Sequence, residues 1–267
     1  MVRPGPIFDP LAAGRPLRVA GFMSGSGTNL VRLLEHQKRL GKEEGRPVFE
    51  VAFIFSDRGD GRSSGEKIGR DWAIPHVSYD IRSFHRLKKA ARTVKTRKGM
   101  ALRQEYDRLA RTLIRAFEVD LIALGGYMSF ITLTPCVNVH PADLSILAQN
   151  GARRFVGDDA VMEAIRAGQR ELRSSTIWTD MGVDTGPLLM VSEPVAVELP
   201  VPLEELLDDE PRLRRVAEEH QERLKEAGDW VVFPRTVEAI ARGRFAFDRG
   251  GGVLFDGRPA PGGVRPG

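Results

Sequence analysis

Through the first two hundred residues of the chain, short continuous apolar runs alternate with stretches whose apolar residues recur every three or four positions. Residues 17–23 (LRVAGFM), 49–55 (FEVAFIF), 75–79, 119–124 (VDLIAL) and 136–140 (CVNVH) read as strands. Runs apolar at every position suit strands covered on both faces. Leu30, Leu33 and Leu34 fall at helical spacing, with Thr28 or Asn29 as the expected cap. Short helices are expected over 65–72 and 159–167. A long, charged helix is expected over 82–118, interrupted at Gly99. Residues 172–180 and 187–197 read as further strands. Strand and helix alternating in this way predict an α/β fold with a mostly parallel sheet.

Beyond residue 200 the pattern changes. Residues 203–227 and 229–242 read as two helices, and 245–255 as a hairpin around Gly250, Gly251 and Gly252. The expected organisation is an irregular arm over 1–16, a catalytic domain over 17–200, and helices and a hairpin over 201–267 packed on it. The last dozen residues, rich in glycine and proline, are expected to be loose.

The 267 residues are 42% hydrophobic and 28% charged, enough apolar material for a sizeable core. The net charge of +4 suits an anionic small molecule and does not by itself imply nucleic acid. The single cysteine, Cys136, rules out an intrachain disulfide and fits a reducing cytoplasm. No apolar stretch approaches the roughly 20 residues that span a bilayer. A cytoplasmic protein without a membrane partner is expected.

Three segments carry candidate chemistry. Ser24 to Leu30 (SGSGTNL) is a glycine loop between the first strand and first helix. There, backbone N–H groups at a helix N-terminus can take a phosphate. Leu30 stands where a dinucleotide fingerprint needs its third glycine, and no Gly-Lys-Ser/Thr follows, so NAD and ATP are disfavoured. The competing reading is a tight turn with a capping threonine. Asn138 and His140 end a strand two positions apart, so both face the same side, where α/β sheets bind ligands. A polar pair at a loop edge would look the same. Asp184 lies in DMGVDTGP, a turn from which a carboxylate could reach the strand ends or merely cap its own backbone.

SGSGTNL, LIALGGYMS, NVHPADL and DMGVDTGP, in that order, resemble the 10-formyltetrahydrofolate-dependent formyltransferases, nearest to those that act on glycinamide ribonucleotide. The likeness runs over about 17–197 and continues weakly through FPRTVEAIARGRF and FDGRPAP. It implies a Rossmann-like formyltransferase fold with helices on both faces of the sheet. It also implies transfer of a formyl group from 10-formyltetrahydrofolate, as co-substrate, to a phosphorylated primary amine. The leading acceptor is 5'-phosphoribosylglycinamide of de novo purine biosynthesis. The alternatives are another amine, on a sugar nucleotide or an aminoacyl-tRNA, or hydrolysis of formyltetrahydrofolate. By the same resemblance Asn138, His140 and Asp184 are catalytic, and Gly25, Ser26, Gly27, Thr28 and Asn29 hold the substrate phosphate. Arg103, Tyr127, Met128, Ser129, Phe130, Ile131, Asp180 and Gly182 contact substrate or folate. Asn138 and a protonated His140 would donate to the tetrahedral oxyanion, with Asp184 favouring the imidazolium. No metal is required, and a monomer or homodimer is expected.

The chain departs from the family pattern at Ser129, where an arginine is usual, and at Ala142 to Ser145, where Leu-Leu-Pro is usual. It departs again at Ile177, often a histidine in relatives that act on glycinamide ribonucleotide. Residues 85–100 look like a basic insertion. From Arg82 to Arg115 there are 12 Lys/Arg against Glu105 and Asp107. This stretch reads as a solvated helix face, without the interleaved aromatics of a nucleic-acid surface. His36, His76, His85 and His220 read as surface or packing residues, and Cys136 as buried.

Overall fold

The computed structural model describes residues 4–266. By proximity of its Cα atoms the chain divides into two compact units, one comprising 8–137 and the other 4–7 with 138–266. The expected arm begins at Met1, and Met1 to Arg3 lie outside the described residues.

The first unit is built on β1 (Leu17–Met23), β2 (Phe49–Ser56), β3 (His76–Ser78) and β4 (Leu121–Leu124). All pairs are parallel, in the order β3-β2-β1-β4. The crossovers are α1 (Thr28–Glu44), α2 (Gly65–Trp72), α3 (Ile81–Leu87) and α4 (Arg97–Ala116). Strand alternation sends side chains to both faces. Ala20, Phe22, Phe53 and Phe55 pack with Ile81, Phe84, Tyr106 and Ala110 of α3 and α4. On the other face, a Cβ at Gly21 would lie 2.9 Å from Leu30 of α1. Helices therefore cover both faces, and the strands are buried almost throughout.

Three local expectations are corrected here. The arm over 1–16 is not wholly irregular, because Asp9 caps a helical turn at Pro10–Ala13. The cap of α1 is Gly27 at φ +67°, not Thr28 or Asn29. A Cβ there would meet Met23 Cε at 2.6 Å, so the turn needs glycine twice over. The interruption expected at Gly99 in the basic stretch falls before it, at 88–96. Lys89 is left-handed at φ +47°, and the Thr96 hydroxyl restarts the helix by accepting from Gly99 N–H at 3.0 Å. Gly99 thus sits inside the first turn of α4, where its Cα passes so close to the Thr93 carbonyl that a Cβ would lie 2.0 Å from that oxygen.

β5 (Cys136–His140) contains the division between the units. The second unit then carries α5 (Ala160–Arg166), the antiparallel pair β6 (Ser175–Trp178) and β7 (Leu188–Val191), α6 (Leu203–Leu207), α7 (Glu210–Leu224) and α8 (Trp230–Ala241). Leu144, Phe155, Val161, Ile165, Leu213 and Leu224 belong to its apolar core. β8 (Phe245–Phe247) and β9 (Val253–Phe255) form the expected hairpin, in a small antiparallel sheet with residues 5–6 and 258–259.

Two more expectations change. No break separates the helices expected over 203–227 and 229–242. A π-helical turn at Lys225–Asp229 joins α7 to α8, and the buried Asp229 accepts from the Ser174 hydroxyl at 2.5 Å. The C-terminal stretch as far as residue 266 is not wholly loose, because Val264 N–H donates to Leu189 and the Val264 carbonyl accepts from Val191, both at 2.8 Å, while Gly267 lies outside the described residues.

Candidate active site

In the second unit β5 delivers Asn138 half-buried and His140 buried, two positions apart on one side of the strand. The turn after β6 brings Asp184 to that histidine, with Oδ2 3.5 Å from His140 Nδ1. The same Oδ2 accepts from Gly157 N–H at 3.0 Å. Asp184 is held left-handed at φ +52°, a conformation aspartate tolerates better than most residues. The turn is wound by its own groups. Asp180 Oδ1 accepts from Gly182 N–H at 2.9 Å and from the Thr185 hydroxyl at 2.6 Å. Gly186 passes so close to Trp178 that a Cβ would sit 1.8 Å from the Trp178 carbonyl oxygen.

Burial holds His140 below the ordinary imidazole range. Asp184 and the Phe155 carbonyl pull the value up, Arg153 pushes it down and Asp158 adds a smaller upward pull. The resting ring is therefore neutral at pH 7. With a carboxylate facing Nδ1, the Nδ1–H tautomer is favoured and Nε2 keeps its lone pair. Nε2 is buried and has no hydrogen-bond partner. A buried polar atom in that state is poised for a partner brought by a ligand.

In the first unit the glycine loop runs into the N-terminus of α1. Ser24 is its anchor, donating its N–H to the Gly126 carbonyl at 3.0 Å and accepting Met128 N–H on Oγ at 2.9 Å. The Gly25 carbonyl accepts from Ser64 N–H at 3.0 Å. Ser26 is exposed, Gly25 and Thr28 half-buried, and Asn29 buried. The loop is thus fixed to the Gly125–Gly126 turn, with N–H groups at a helix start as the phosphate reading requires.

Arg103 is expected to contact substrate, yet it is 2% exposed. It donates to Asp107 Oδ1 at 2.7 Å and to the Tyr127 hydroxyl at 2.9 Å, while Nη1 has no partner. Asp107 also accepts from Thr132 N–H and hydroxyl, at 2.9 and 2.7 Å. Burial pushes the Tyr127 phenol up, so it stays protonated. Arg103 lines a cavity of about 260 Å³ with Met128, Ser129, Phe130, His85, Arg92 and Lys95. The Ser129 hydroxyl is engaged by Asp57 Oδ2. Ile131 is buried in the apolar core below this turn. Sequence reasoning placed Arg92 and Lys95 on a solvated helix face. They lie instead on the loop between α3 and α4, which the charge run alone does not reveal. It also passed over Arg153 and Gly157, whose signal was the Asn150-Gly151 hairpin dipeptide just upstream.

Among the described residues no group of three His, Cys, Asp or Glu could hold a metal ion, and no helix is long and apolar enough to cross a membrane. The family model described as formyl transferase matches residues 17–206. Phosphoribosylglycinamide formyltransferase of Bacillus subtilis (strain 168) is 37% identical over 83 residues, 28% of this chain and 38% of that protein. The trifunctional purine biosynthetic protein adenosine-3 of Drosophila melanogaster is 27% identical over 237 residues, 86% of this chain and 14% of that protein. The matches thus span well under half of the length of these relatives. Among solved structures, phosphoribosylglycinamide formyltransferase from Coxiella burnetii in complex with CHES superposes with a TM-score of 0.63 at 21% identity, covering 94% of this chain and 99% of that one. A formyltetrahydrofolate deformylase from Pseudomonas syringae pv. tomato str. DC3000 gives 0.57 at 16% identity, covering 91% of this chain and 67% of that one. At these identities the likeness shows the fold, an α/β architecture with a mostly parallel sheet.

Proposed function

Because the chain belongs to the formyl transferase family, we propose that it moves a formyl group from 10-formyltetrahydrofolate to the primary amine of 5'-phosphoribosylglycinamide, in the cytoplasm. The observation that supports this best is the buried His140, its Nε2 free and its Nδ1 facing Asp184. Neutral Nε2 accepts a proton from the acceptor's ammonium group, leaving the free amine to attack the formyl carbon. The imidazolium so formed, stabilised by Asp184, and the amide of Asn138 donate to the developing oxyanion. When the tetrahedral adduct collapses, the C–N10 bond breaks and N10 gains the second proton that the amine nitrogen loses. No metal takes part in this sequence. The backbone of Gly25, Ser26 and Gly27 with Thr28 and Asn29 is assigned to the ribonucleotide phosphate. Arg103 is assigned to substrate, and the wall of Tyr127, Met128, Ser129 and Phe130 and the residues Asp180 and Gly182 to folate.

Hydrolysis of formyltetrahydrofolate needs the same groups with water in place of the amine, and one assay separates the two. Purified protein is given 10-formyltetrahydrofolate with and without the ribonucleotide, and tetrahydrofolate release is followed. Turnover only with the ribonucleotide is the expected result. Turnover without any amine would establish the hydrolase instead.

A further inference from the structure

The hairpin after β5 carries a half-buried arginine, Arg153, with both terminal nitrogens on backbone carbonyls of another segment. Its strands are joined through Asn150 and Gly151. Ala148 N–H donates to the Ala152 carbonyl at 2.8 Å, Arg154 N–H to the Ile146 carbonyl at 3.0 Å, and Gly151 sits at φ +78°. This frame presents the half-buried Arg153 to the turn that carries Asp184. Nη1 of Arg153 donates to the backbone carbonyl of Asp184 at 2.5 Å and Nη2 to that of Gly186 at 2.6 Å. One planar guanidinium thus grips carbonyls two residues apart, on either side of Thr185. Asp184 is the left-handed residue of this turn, and its carboxylate faces His140.

We propose that Arg153 is a positioning residue, a guanidinium clamp that fixes the turn at Asp184 so that the carboxylate faces His140. The inference rests on the assignment of Asp184 and His140 to formyl transfer. The case is geometric. Residues 181–183 are exposed, with Met181 and Val183 each 61% exposed, so packing does little to hold this part of the turn. A side chain with two parallel donors in a fixed fork can set a backbone conformation that a single point charge cannot. The hairpin supplies that fork from a separate chain segment, which ties the position of Asp184 to a frame other than the exposed residues beside it. The charged groups acting on His140 are Asp184, Arg153 itself and Asp158. Arg153 therefore also opposes protonation of the ring directly, while holding in place the carboxylate that favours it.

Arg153→Lys separates the two effects, because it keeps the charge and loses the fork. With the turn released, Asp184 spends less time at His140, and kcat falls by about 10², the scale of a 1 Å misplacement. KM for both substrates stays within a few-fold, since the clamp is assigned no substrate contact. In Arg153→Ala, added guanidinium restores part of kcat. An NMR titration of the five histidines without substrate gives a readout independent of turnover. In Arg153→Lys the His140 titration moves to lower pH, because the retained charge still pushes down and the carboxylate that pulled up has moved away. Wild-type kcat and an unshifted His140 in Arg153→Lys would overturn the clamp. So would a change confined to KM, which would make Arg153 a binding residue. If the wild-type protein formylates no amine, the shift in the His140 titration still decides whether Arg153 sets Asp184.

Discussion

His140 Nδ1 and Asp184 Oδ2 stand 3.5 Å apart in a buried setting, with Nε2 of the same ring left without a partner. That separation is longer than a strong hydrogen bond and is an electrostatic contact that can tighten when the ring gains a proton. Each member should then matter to the rate. His140→Ala and Asp184→Asn are each expected to lower kcat by at least about 10². The check is steady-state release of tetrahydrofolate, with folding monitored by circular dichroism. Near-normal kcat in either variant removes that residue from the mechanism.

Burial dominates the electrostatics of His140, so its folded value lies below that of the unfolded chain. Folding then favours the neutral ring. The corresponding stability is fully present above about pH 6.5, the unfolded imidazole value, and is lost as pH falls through the folded value. His140→Gln should flatten the fall in urea-unfolding free energy between neutral and mildly acidic pH. Asp184→Asn removes an upward pull on the ring, so the His140 titration should move further down. An upward movement of that titration in Asp184→Asn would contradict the assigned pairing.

The pairing of Asn138 with His140 was legible in the chain because a strand has period two and Pro141 marks its end. The glycine loop was legible because Gly25 and Gly27 flank a strand-to-helix junction. The conformation of Asp184 was not, since φ +52° is imposed by Gly157 N–H and Arg153, residues 27 and 31 positions away. An interruption of the basic stretch was legible, but its place between α3 and α4, ahead of Gly99, was not. Thr96 is an ordinary helix cap, and Gly99 stands inside the first turn of the helix it starts. The resting charge of His140 could not be read either, because it depends on burial rather than on neighbours in sequence.

Gly186 should not tolerate a side chain. A Cβ there would lie 1.8 Å from the Trp178 carbonyl oxygen, a backbone atom that cannot swing aside. Gly186→Ala must displace the turn and with it the carbonyl that Arg153 grips. A loss of stability of about 1–3 kcal/mol is expected from the forced shift. A fall in kcat should exceed what that instability alone produces at assay temperature. Gly182→Ala meets the Thr185 hydroxyl at 1.9 Å, a side-chain atom that can rotate, so its effect on stability should be smaller. Chemical denaturation of both variants ranks them, and a milder Gly186→Ala would show that the backbone contact is not limiting.

The cavity beside Met128 has two kinds of cation, and they should fail in different ways. Arg103 is buried against Asp107 and Tyr127, so Arg103→Met strands a buried carboxylate and is expected to cost about 3–5 kcal/mol of stability. Arg92 and Lys95 are exposed on the cavity rim, and no packing depends on them. Charge reversal of both should shift stability by no more than about 0.5 kcal/mol. If the cavity takes an anionic part of the folate, the same double variant raises the folate KM and leaves kcat nearly unchanged, with an effect that weakens as salt is added. Unchanged KM at low ionic strength would detach this rim from folate binding and leave Arg103 as a structural ion pair.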